Sequence, residues 1–303
     1  MVTVLVAVYN GEKYLADLLN SIINQTYKDI RIVVSDDLSS DKSPEIIKEF
    51  FEKYPDKIIP VFRKTSSGSA KAHFIYLLEE FSDSEFLMFC DQDDVWFPDK
   101  IEKTLSLMLK GDNNKPRLVH TDCVLADEFL NITHKSFKKF SMVPTVLPFS
   151  KLLAENSVQG ASAMVNKALV KEAVPYSEDM VMHDRWVALI ASALGEIDYL
   201  DEPTFFYRQH SKNQIGASKK PSSLSYIKMR LKTNIAKDIN LSRRQAGLLL
   251  KRIGDKMPNE LKLIAEEYAN SEKLSKLERI RILKRRNIMP DSALKKIKFL
   301  LWG

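Results

Sequence analysis

The chain has 303 residues, of which 45% are apolar and 28% are charged, and this balance excludes a wholly disordered protein. Its two cysteines, Cys90 and Cys123, are too few for a disulfide framework or a cysteine-rich zinc module. No apolar run approaches the ~20 residues of a membrane-spanning helix, and the first residues lack the basic region of a signal peptide. We therefore expect a globular cytoplasmic protein that is larger than one usual domain.

The net charge of +6 is distributed unevenly. Residues 218–303 contain 22 lysines and arginines against 8 acidic residues, a net charge of +14, whereas residues 1–217 carry a net charge of −8. We therefore predict an acidic domain over residues 1–217 and a basic α-helical region over residues 218–303. Such a basic region favours a polyanionic neighbour, either a nucleic acid or an anionic membrane surface.

Segments typical of strands and helices alternate along residues 1–125. Short apolar runs predict strands over residues 2–8, 30–35, 58–62, 85–90 and 118–121. Amphipathic periodicity predicts helices over residues 14–23, 70–81 and 98–109, and a further helix with Ser43 as its N-cap and Pro44 in its first position. This alternation predicts an α/β fold whose sheet is parallel in this half.

Polar residues follow each of these strands, where ligands of parallel sheets bind. Tyr9-Asn10-Gly11-Glu12 follows the first strand, Asp36-Asp37 the second, and a serine-rich loop before Lys71 the third. Each loop taken alone has a plain explanation, because strand-end loops are usually polar and aspartate caps helices.

Asp91-Gln92-Asp93-Asp94 places three carboxylates in four residues directly after an apolar strand. Without compensation their charges would repel one another at a partly buried strand end. A hard divalent cation, Mg²⁺ or Mn²⁺, would resolve this repulsion, and carboxylate oxygens suit it as ligands. The alternative is an aspartate-rich helix N-terminus before Pro98. We favour the metal site.

Taken in order, these blocks resemble glycosyltransferase family 2, the nucleotide-sugar-dependent enzymes of the GT-A fold. The blocks that carry the resemblance are Val4 to Gly11, Val34-Ser35-Asp36-Asp37, Asp91 to Trp96, Met182-His183-Asp184-Arg185-Trp186 and Tyr207 to Asn213. They span about residues 2–217, with a Rossmann-like nucleotide-binding half over residues 1–125 and an acceptor half over residues 126–217. The last three blocks are most similar to bacterial rhamnosyltransferases of surface polysaccharide synthesis.

The resemblance implies a role for individual residues. The implied nucleotide-sugar contacts are Val8, Tyr9, Asn10, Glu12, Asp37, Lys71, Asp91 and Gln92. Tyr9 would pack near the nucleobase, Asp37 would accept a hydrogen bond from a pyrimidine, and Asp91 would lie near the ribose. Asp93 would be the main metal ligand, and His210 a further metal or diphosphate contact. Asp184 would be the general base, although a helix N-cap is its alternative.

The implied activity is a metal-dependent, inverting transfer of a sugar from a dTDP- or UDP-sugar to a glycan or lipid-linked acceptor. A cation at Asp93 would stabilise the charge of the leaving diphosphate, and a carboxylate would remove the acceptor's proton. A sugar-1-phosphate nucleotidyltransferase would need a glycine-rich, arginine-containing loop after the first strand, which Tyr9-Asn10-Gly11-Glu12 does not provide. A DxD phosphatase would need its nucleophilic aspartate after that strand.

The remaining segments are less regular. Residues 158–165 predict a small-residue strand around Gly160, and His183 opens a helix with Trp186 on its inner side. The tail predicts helices over residues 224–236, 241–253, 260–286 and 292–301, with basic faces and an apolar end. We interpret it as an interfacial anchor on the anionic inner face of the cell membrane. The alternatives are a hairpin packed on the body or on a second copy of the chain. No nucleic-acid partner is expected, because no recognition motif accompanies the basic charge.

Overall fold

The structure, a computed structural model, describes residues 1–210, 235–292, 296–297 and 299–300. The chain divides into two compact units. The first comprises Met1–Val146, Ser157–Glu178 and Met182–Arg208, and the second comprises Leu147–Asn156, Asp179–Val181 and the part of residues 209–303 that the structure describes.

The first unit is built around a mixed sheet. Its strands are β1 (Val2–Val8), β2 (Ile30–Asp36), β3 (Ile58–Phe62), β4 (Phe86–Asp91), β5 (Val95–Trp96), β6 (Arg117–Ala126), β7 (Ile132–His134), β8 (Ala163–Asn166) and β9 (Glu196–Arg208). They run in the order β3-β2-β1-β4-β8-β6-β9-β5, with β7 paired to β6. Strands β3, β2, β1 and β4 are mutually parallel, whereas β8 is antiparallel to both of its neighbours.

Helices flank this sheet in the first unit. They are α1 (Leu15–Ile23), α2 (Ser43–Lys53), α3 (Ala70–Glu80), α4 (Lys100–Met108), α5 (Phe137–Ser141), α7 (Lys167–Ala173) and α8 (His183–Leu194). The second unit contains α6 (Phe149–Leu152), α9 (Ile235–Ile253), α10 (Asn259–Asn270) and α11 (Lys276–Arg285). None of the described helices is long and apolar enough to cross a bilayer.

The predicted strands of the parallel half are confirmed to within a residue or two, except that β6 extends further, to Ala126. The apolar runs of β1, β2 and β4 are buried on both faces, as expected for parallel strands covered by helices, whereas β3 at the edge of the sheet is only partly buried. Val95–Trp96 was predicted as loop, but it pairs with β9 as an edge strand. A two-residue strand is too short to show any periodicity in the sequence.

Three further predictions need correction. Lys42, and not Ser43, occupies the N-cap of α2, because the Ser43 hydroxyl accepts the Gly11 N–H at 2.8 Å instead. Gly160–Ser162 forms a 3₁₀ turn, and the strand begins only at Ala163. The helix predicted over residues 260–286 is broken, because Ser275 caps a new helix through a reciprocal bond with Glu278.

The tail helices were predicted in part. The helix predicted over residues 241–253 lies within the longer α9. The one predicted over 224–236 falls almost wholly outside the described residues, and that over 292–301 falls partly outside them.

Trp186 is the largest fully buried side chain and anchors α8 in the first unit. Its indole N–H donates a hydrogen bond of 2.8 Å to the Ala173 carbonyl at the end of α7. We expect Trp186→Ala to lower the free energy of unfolding by about 3–5 kcal/mol, because it leaves a cavity and removes the hydrogen bond to the Ala173 carbonyl. Urea unfolding followed by circular dichroism measures this. Leu109→Ala, at a side chain that is 56% exposed, is the control and should change it by less than about 0.5 kcal/mol. Equal destabilisation by the two variants would contradict the assigned packing.

Candidate active site

The parallel register brings three of the predicted loops to one edge of the sheet. Val8 lies opposite Asp36, and Ala7 lies opposite Asp91. The Asp37 N–H donates to the Val8 carbonyl at 2.9 Å, which ties the ends of β1 and β2 together. The loops after β1, β2 and β4 therefore form one continuous surface in the first unit.

The loop after β1 is fastened to the loop after β2 by side chains that the resemblance assigned to donor binding. Asn10 adopts a left-handed conformation, with φ of 51°, and its Oδ1 accepts the Ser40 N–H at 2.9 Å. The Glu12 carboxylate accepts the Lys42 N–H at 3.0 Å. Asn10 and Glu12 thus shape the loop, while the Tyr9 side chain remains 57% exposed.

Gln92 connects the loop after β4 to the loop after β1. Its Oε1 accepts the Tyr9 N–H at 2.8 Å, and its Nε2 donates to the Tyr9 carbonyl at 3.0 Å. Gly11 leaves room for this amide, because a Cβ there would lie 2.6 Å from the Gln92 Oε1. Gln92 therefore fixes the Tyr9 backbone and continues the pairing of the two strands beyond their ends.

Asp37 is buried and fully engaged by the segment after β3. Its carboxylate accepts the Ser67 N–H and hydroxyl, both at 2.7 Å, and the Ser66 hydroxyl at 3.2 Å. Arg63 forms an ion pair with it at 3.1 Å. Burial raises the pKa of Asp37, but the hydrogen bonds from Ser67 and the nearby charge of His73 outweigh burial, so the pKa is lowered overall.

Four carboxylates converge near the end of β4. Burial, Asp93 and Asp184 together raise the pKa of Asp91 to about 7. Asp94 is fully buried, neither of its oxygens accepts a regular hydrogen bond from a described residue, and burial and Asp93 raise its pKa well above the usual range. These carboxylates are close enough to oppose one another's ionisation.

The buried cation in this region faces Asp94. Lys100 is fully buried, donates to the Thr204 hydroxyl at 3.2 Å and lies 4.2 Å from the Phe205 ring centre. Burial lowers the pKa of Lys100 to about 8, against the opposing effect of Asp94. Asp94 therefore has a protein counter-charge. Asp91 and Asp93 remain the pair predicted to bind a ligand.

The donor set at Asp91 and Asp93 fits a hard cation. Mg²⁺ and Mn²⁺ bind one or two carboxylates together with substrate phosphates, and a cation beside Asp91 would offset the repulsion from Asp93 and Asp184 that raises the pKa of Asp91. Within the described part of the chain, no three His, Cys, Asp or Glu side chains are arranged to hold a metal ion by themselves. The residues present thus fit a cation that shares its coordination with a diphosphate.

Helix α8 brings Asp184 to this cluster. The His183 ring is buried between Phe74 and Phe89, with ring centres 4.3 and 4.8 Å away, and Phe89 belongs to β4. Gly160 permits this packing, because a Cβ there would lie 2.6 Å from the His183 Nε2. The Asp184 carboxylate accepts the Arg185 N–H at 2.6 Å and stays half-buried beside Asp91.

Arg208 is a site residue to which the sequence analysis assigned no role. It is buried, and its Nε donates to the backbone carbonyl of Asp93 at 3.0 Å. Its other nitrogens donate to the Glu128 carbonyl at 2.7 Å and the Asp17 carboxylate at 3.0 Å. The Arg208 guanidinium therefore positions the loop that carries Asp93. The sequence could have indicated a role for Arg208, because this residue lies at the end of an apolar strand and inside the block from Tyr207 to Asn213 that resembles the family.

Lys71 and His210 are the two remaining predicted residues. Lys71 is in the first turn of α3, where its ammonium donates to the Glu178 carbonyl at 3.2 Å. His210 follows the last strand and belongs to the second unit. The roles of both residues stay predictions.

Comparison with known proteins identifies relatives of the chain. The family described as glycosyl transferase family 2 matches residues 3–168. The dTDP-rhamnosyl transferase RfbG of Shigella flexneri is 29% identical over 224 residues, which are 70% of this chain and 74% of RfbG. An uncharacterized glycosyltransferase of Haemophilus influenzae is 38% identical over 112 residues, which are 37% of this chain and 43% of that protein.

Solved structures share the fold. TarS of S. aureus in complex with UDP aligns with a TM-score of 0.56 at 17% identity, covering 91% of this chain and 73% of the TarS chain. The mannosyltransferase PcManGT of Pyrobaculum calidifontis, in complex with GDP-Man and Mn²⁺, aligns with a TM-score of 0.56 at 17% identity and covers 99% of this chain and 78% of its own.

These structural neighbours confirm the predicted α/β fold as the GT-A fold, with helices added at the C-terminal end. The family match covers more than half of the chain and includes β1 to β8, with the loops that carry Tyr9, Asp37 and Asp93. The chain belongs to glycosyl transferase family 2.

Proposed function

We propose that this glycosyltransferase transfers a sugar, rhamnose in the favoured case, from a dTDP- or UDP-linked donor to a glycan or lipid-linked glycan. The transfer is an inverting, metal-dependent single displacement in the synthesis of a bacterial surface polysaccharide. The observation that carries the proposal is the convergence of Asp91, Asp93 and Asp184, because it puts a cation-binding pair beside a separate carboxylate.

Relatives support the choice of donor class. The relative from Shigella flexneri is named a dTDP-rhamnosyl transferase, and TarS was solved with UDP and with UDP-GlcNAc. Asp37 would read the N3–H of a pyrimidine, a group that uracil and thymine share. An ionised carboxylate offers about four acceptor positions, and Ser66, Ser67 and Arg63 use them. Base recognition by Asp37 therefore requires one of the serine hydroxyls to give up its bond.

Asp93, with Asp91 beside it, would hold Mg²⁺ or Mn²⁺ against the donor diphosphate, as the mannosyltransferase with bound GDP-Man and Mn²⁺ supports by analogy. When bound, the cation supplies positive charge to the leaving diphosphate. Arg208 holds the Asp93 backbone in place, and the Tyr9 ring offers an exposed surface on which a nucleobase stacks. His210 remains proposed as an additional metal or diphosphate contact.

Asp184 would act as the general base. The chemistry needs a carboxylate that accepts the acceptor's proton and is free of the cation, because a bound cation lowers a carboxylate's basicity. Asp184 lies on a different element from Asp91 and Asp93, yet it is near enough to influence the pKa of Asp91. Removal of the proton by Asp184 makes the acceptor oxygen nucleophilic as the bond to the diphosphate breaks.

The second unit would contact an anionic membrane surface at the inner face of the cell membrane. Leu277 is 70% exposed on α11, and Leu274 just before the helix is also exposed. The exposed Arg281 and Lys284 lie on the same helix as Leu277. Exposed leucines beside basic side chains favour an interface with anionic lipid, where a lipid-linked acceptor would reside.

Asp93→Asn should abolish the contribution of the metal to donor binding. Calorimetry measures the affinity of dTDP and UDP with and without Mn²⁺, and we expect the Mn²⁺-dependent gain to fall at least about tenfold. The fold should persist, because the hydrogen bond from Arg208 to the Asp93 carbonyl does not depend on the Asp93 side chain. Asp56→Asn, at an exposed position, is the control. An unchanged Mn²⁺ effect in Asp93→Asn would remove Asp93 from the metal site.

Asp184→Asn should leave donor and metal affinity near normal and reduce sugar transfer by at least about 10²-fold. The amide keeps the size of the side chain and still accepts the Arg185 N–H, so stability should change little. Transfer to the acceptor is measured in parallel for the amide variants of Glu155, Glu178 and Asp179. The assignment is wrong if Asp184→Asn transfers at the wild-type rate while one of these three is inactive.

The double variant Arg281→Glu/Lys284→Glu should bind anionic liposomes at least about tenfold more weakly, since each basic residue contributes about 1 kcal/mol near an anionic surface. Co-sedimentation with phosphatidylglycerol vesicles at low and high salt measures this. Lys110→Glu/Lys171→Glu in the first unit, also at exposed positions, is the charge-matched control. Equal binding by both double variants, or equal binding to neutral vesicles, would make the tail a packing or assembly element.

A further inference from the structure

A polar cavity of about 420 Å³ lies in the first unit beside β6, apart from the loops after β1, β2 and β4. Its volume is within the ~300–1,000 Å³ of small-molecule sites. It is open to solvent and lies between β6, the segment of β7 and α5, and β9. Its lining includes Asp122, His134, Lys135, Lys139, Phe140 and Asp201.

An irregularity in the sheet creates this cavity. Thr121 on β6 pairs with Leu200 on β9, but the next residue, Asp122, pairs with Pro203. The two extra residues of β9 bulge out of the ladder, and Asp201 and Pro203 at the bulge line the cavity. Bulges of this kind redirect side chains and are frequent next to active sites.

The lining combines hydrogen-bond donors and acceptors of both charges. The Lys135 and Lys139 ammonium groups donate, and the Asp122 and Asp201 carboxylates accept. Two positive and two negative groups leave no net charge to select a multivalent anion. The two ammonium groups and the two carboxylates together offer the hydrogen-bond donors and acceptors that a neutral ligand with many hydroxyl groups needs. The rings of His134 and Phe140, with centres 4.1 Å apart and planes inclined at 45°, add an aromatic surface for the apolar face of such a ligand.

The Asp122 side chain is held in a fixed orientation. It accepts the Cys123 N–H at 2.8 Å, the Lys138 N–H at 3.1 Å and the Ser136 hydroxyl. Because an ionised carboxylate has about four acceptor positions, one remains for a ligand. A rigid wall of this kind lowers the entropic cost of binding.

The cavity is also connected to the proposed general base. Cys123, the neighbour of Asp122 on β6, donates its thiol to the Gln159 side chain at 3.4 Å. Gln159 precedes Gly160, and a Cβ on Gly160 would lie 3.6 Å from the Asp184 Cβ. A short series of contacts within the first unit therefore leads from the cavity wall to Asp184.

We infer that this cavity binds a neutral sugar residue of the acceptor glycan, next to the sugar whose hydroxyl Asp184 deprotonates. The inference rests on the proposed function, since it names a subsite for the acceptor of that reaction. Lys139 and Asp201 provide opposite hydrogen-bonding capacities in this subsite, so both should contribute to affinity for an uncharged glycoside.

Saturation-transfer NMR with methyl glycosides of rhamnose, glucose, galactose and N-acetylglucosamine tests the subsite on the full chain. At least one glycoside should bind the wild type, and Asp201→Asn and Lys139→Met should each weaken it at least about tenfold. Both side chains are exposed, and the backbone N–H of Lys139, not its side chain, bonds to Ser136, so both variants should fold. Asp56→Asn and Lys110→Met, also at exposed positions, are the matched controls.

The affinity of dTDP or UDP with Mn²⁺ is measured on the same variants and should not change. This measurement separates the two proposals. If the wild type does not bind dTDP or UDP, the proposed function is contradicted, and glycoside binding still tests the cavity independently. Failure of every glycoside to bind, or binding that neither variant weakens, would overturn the acceptor subsite. Displacement of the glycoside by inorganic phosphate, with dependence on Lys139 alone, would make the cavity an anion site and also overturn it.

Discussion

Crowding of negative charge at the end of β4 is the constraint on which the site depends. Strand register fixes Asp91 at the edge of the sheet, Asp93 and Asp94 follow it in the same loop, and α8 adds Asp184. Lys100 is buried beside Asp94 and supplies a counter-charge there. The remaining repulsion opposes the ionisation of Asp91, and a cation bound together with a diphosphate, as proposed above, would relieve it. The same low-dielectric surroundings that raise the pKa of Asp91 would strengthen the attraction to a bound cation.

Several polar side chains at this edge hold neighbouring loops together. Gln92 uses both ends of its amide on the Tyr9 backbone, and Asn10 uses its carbonyl oxygen on the next loop. Arg208 uses its guanidinium on the loop that carries Asp93. The blocks that define the family here thus contain two kinds of residue, those that would touch the donor and those that hold the first kind in place. A substitution at Gln92 or Arg208 would shift the backbone of Tyr9 or Asp93 and would affect donor binding through that shift.

The sequence allowed the parallel half of the fold to be predicted almost residue by residue, because strands buried on both faces appear as continuous apolar runs and their helices show a clear period. Charge crowding at Asp91 to Asp94 was equally visible. The sequence did not show which of these carboxylates has a counter-charge in the protein. The burial of Lys100 beside Asp94 depends on the packing of α4 and cannot be predicted from spacing. The engagement of Asp37 by Ser66 and Ser67 was missed for a related reason: three loops that are distant in sequence meet only once the register of β1, β2 and β3 is fixed. The prediction for the tail was wrong for a different reason. The helix breaks near Ser275, where the sequence has no proline or glycine to indicate a break.

The half of the sheet that the sequence predicts less well is also the half where the acceptor would bind. Both properties follow from the antiparallel strand β8. β8 enters antiparallel between β4 and β6, so the simple alternation of strand and helix ends where the donor loops end. That insertion brings Gly160 against α8 and so delivers Asp184 to the carboxylates of β4. The bulge in β9 then opens a polar cavity one strand further along the sheet. Short strands, turns and bulges have weak sequence patterns because each is stabilised by tertiary contacts rather than by its own periodicity. A family that keeps the donor loops on regular parallel strands can therefore vary the acceptor side through such irregular elements, with little effect on how the nucleotide and the cation are held.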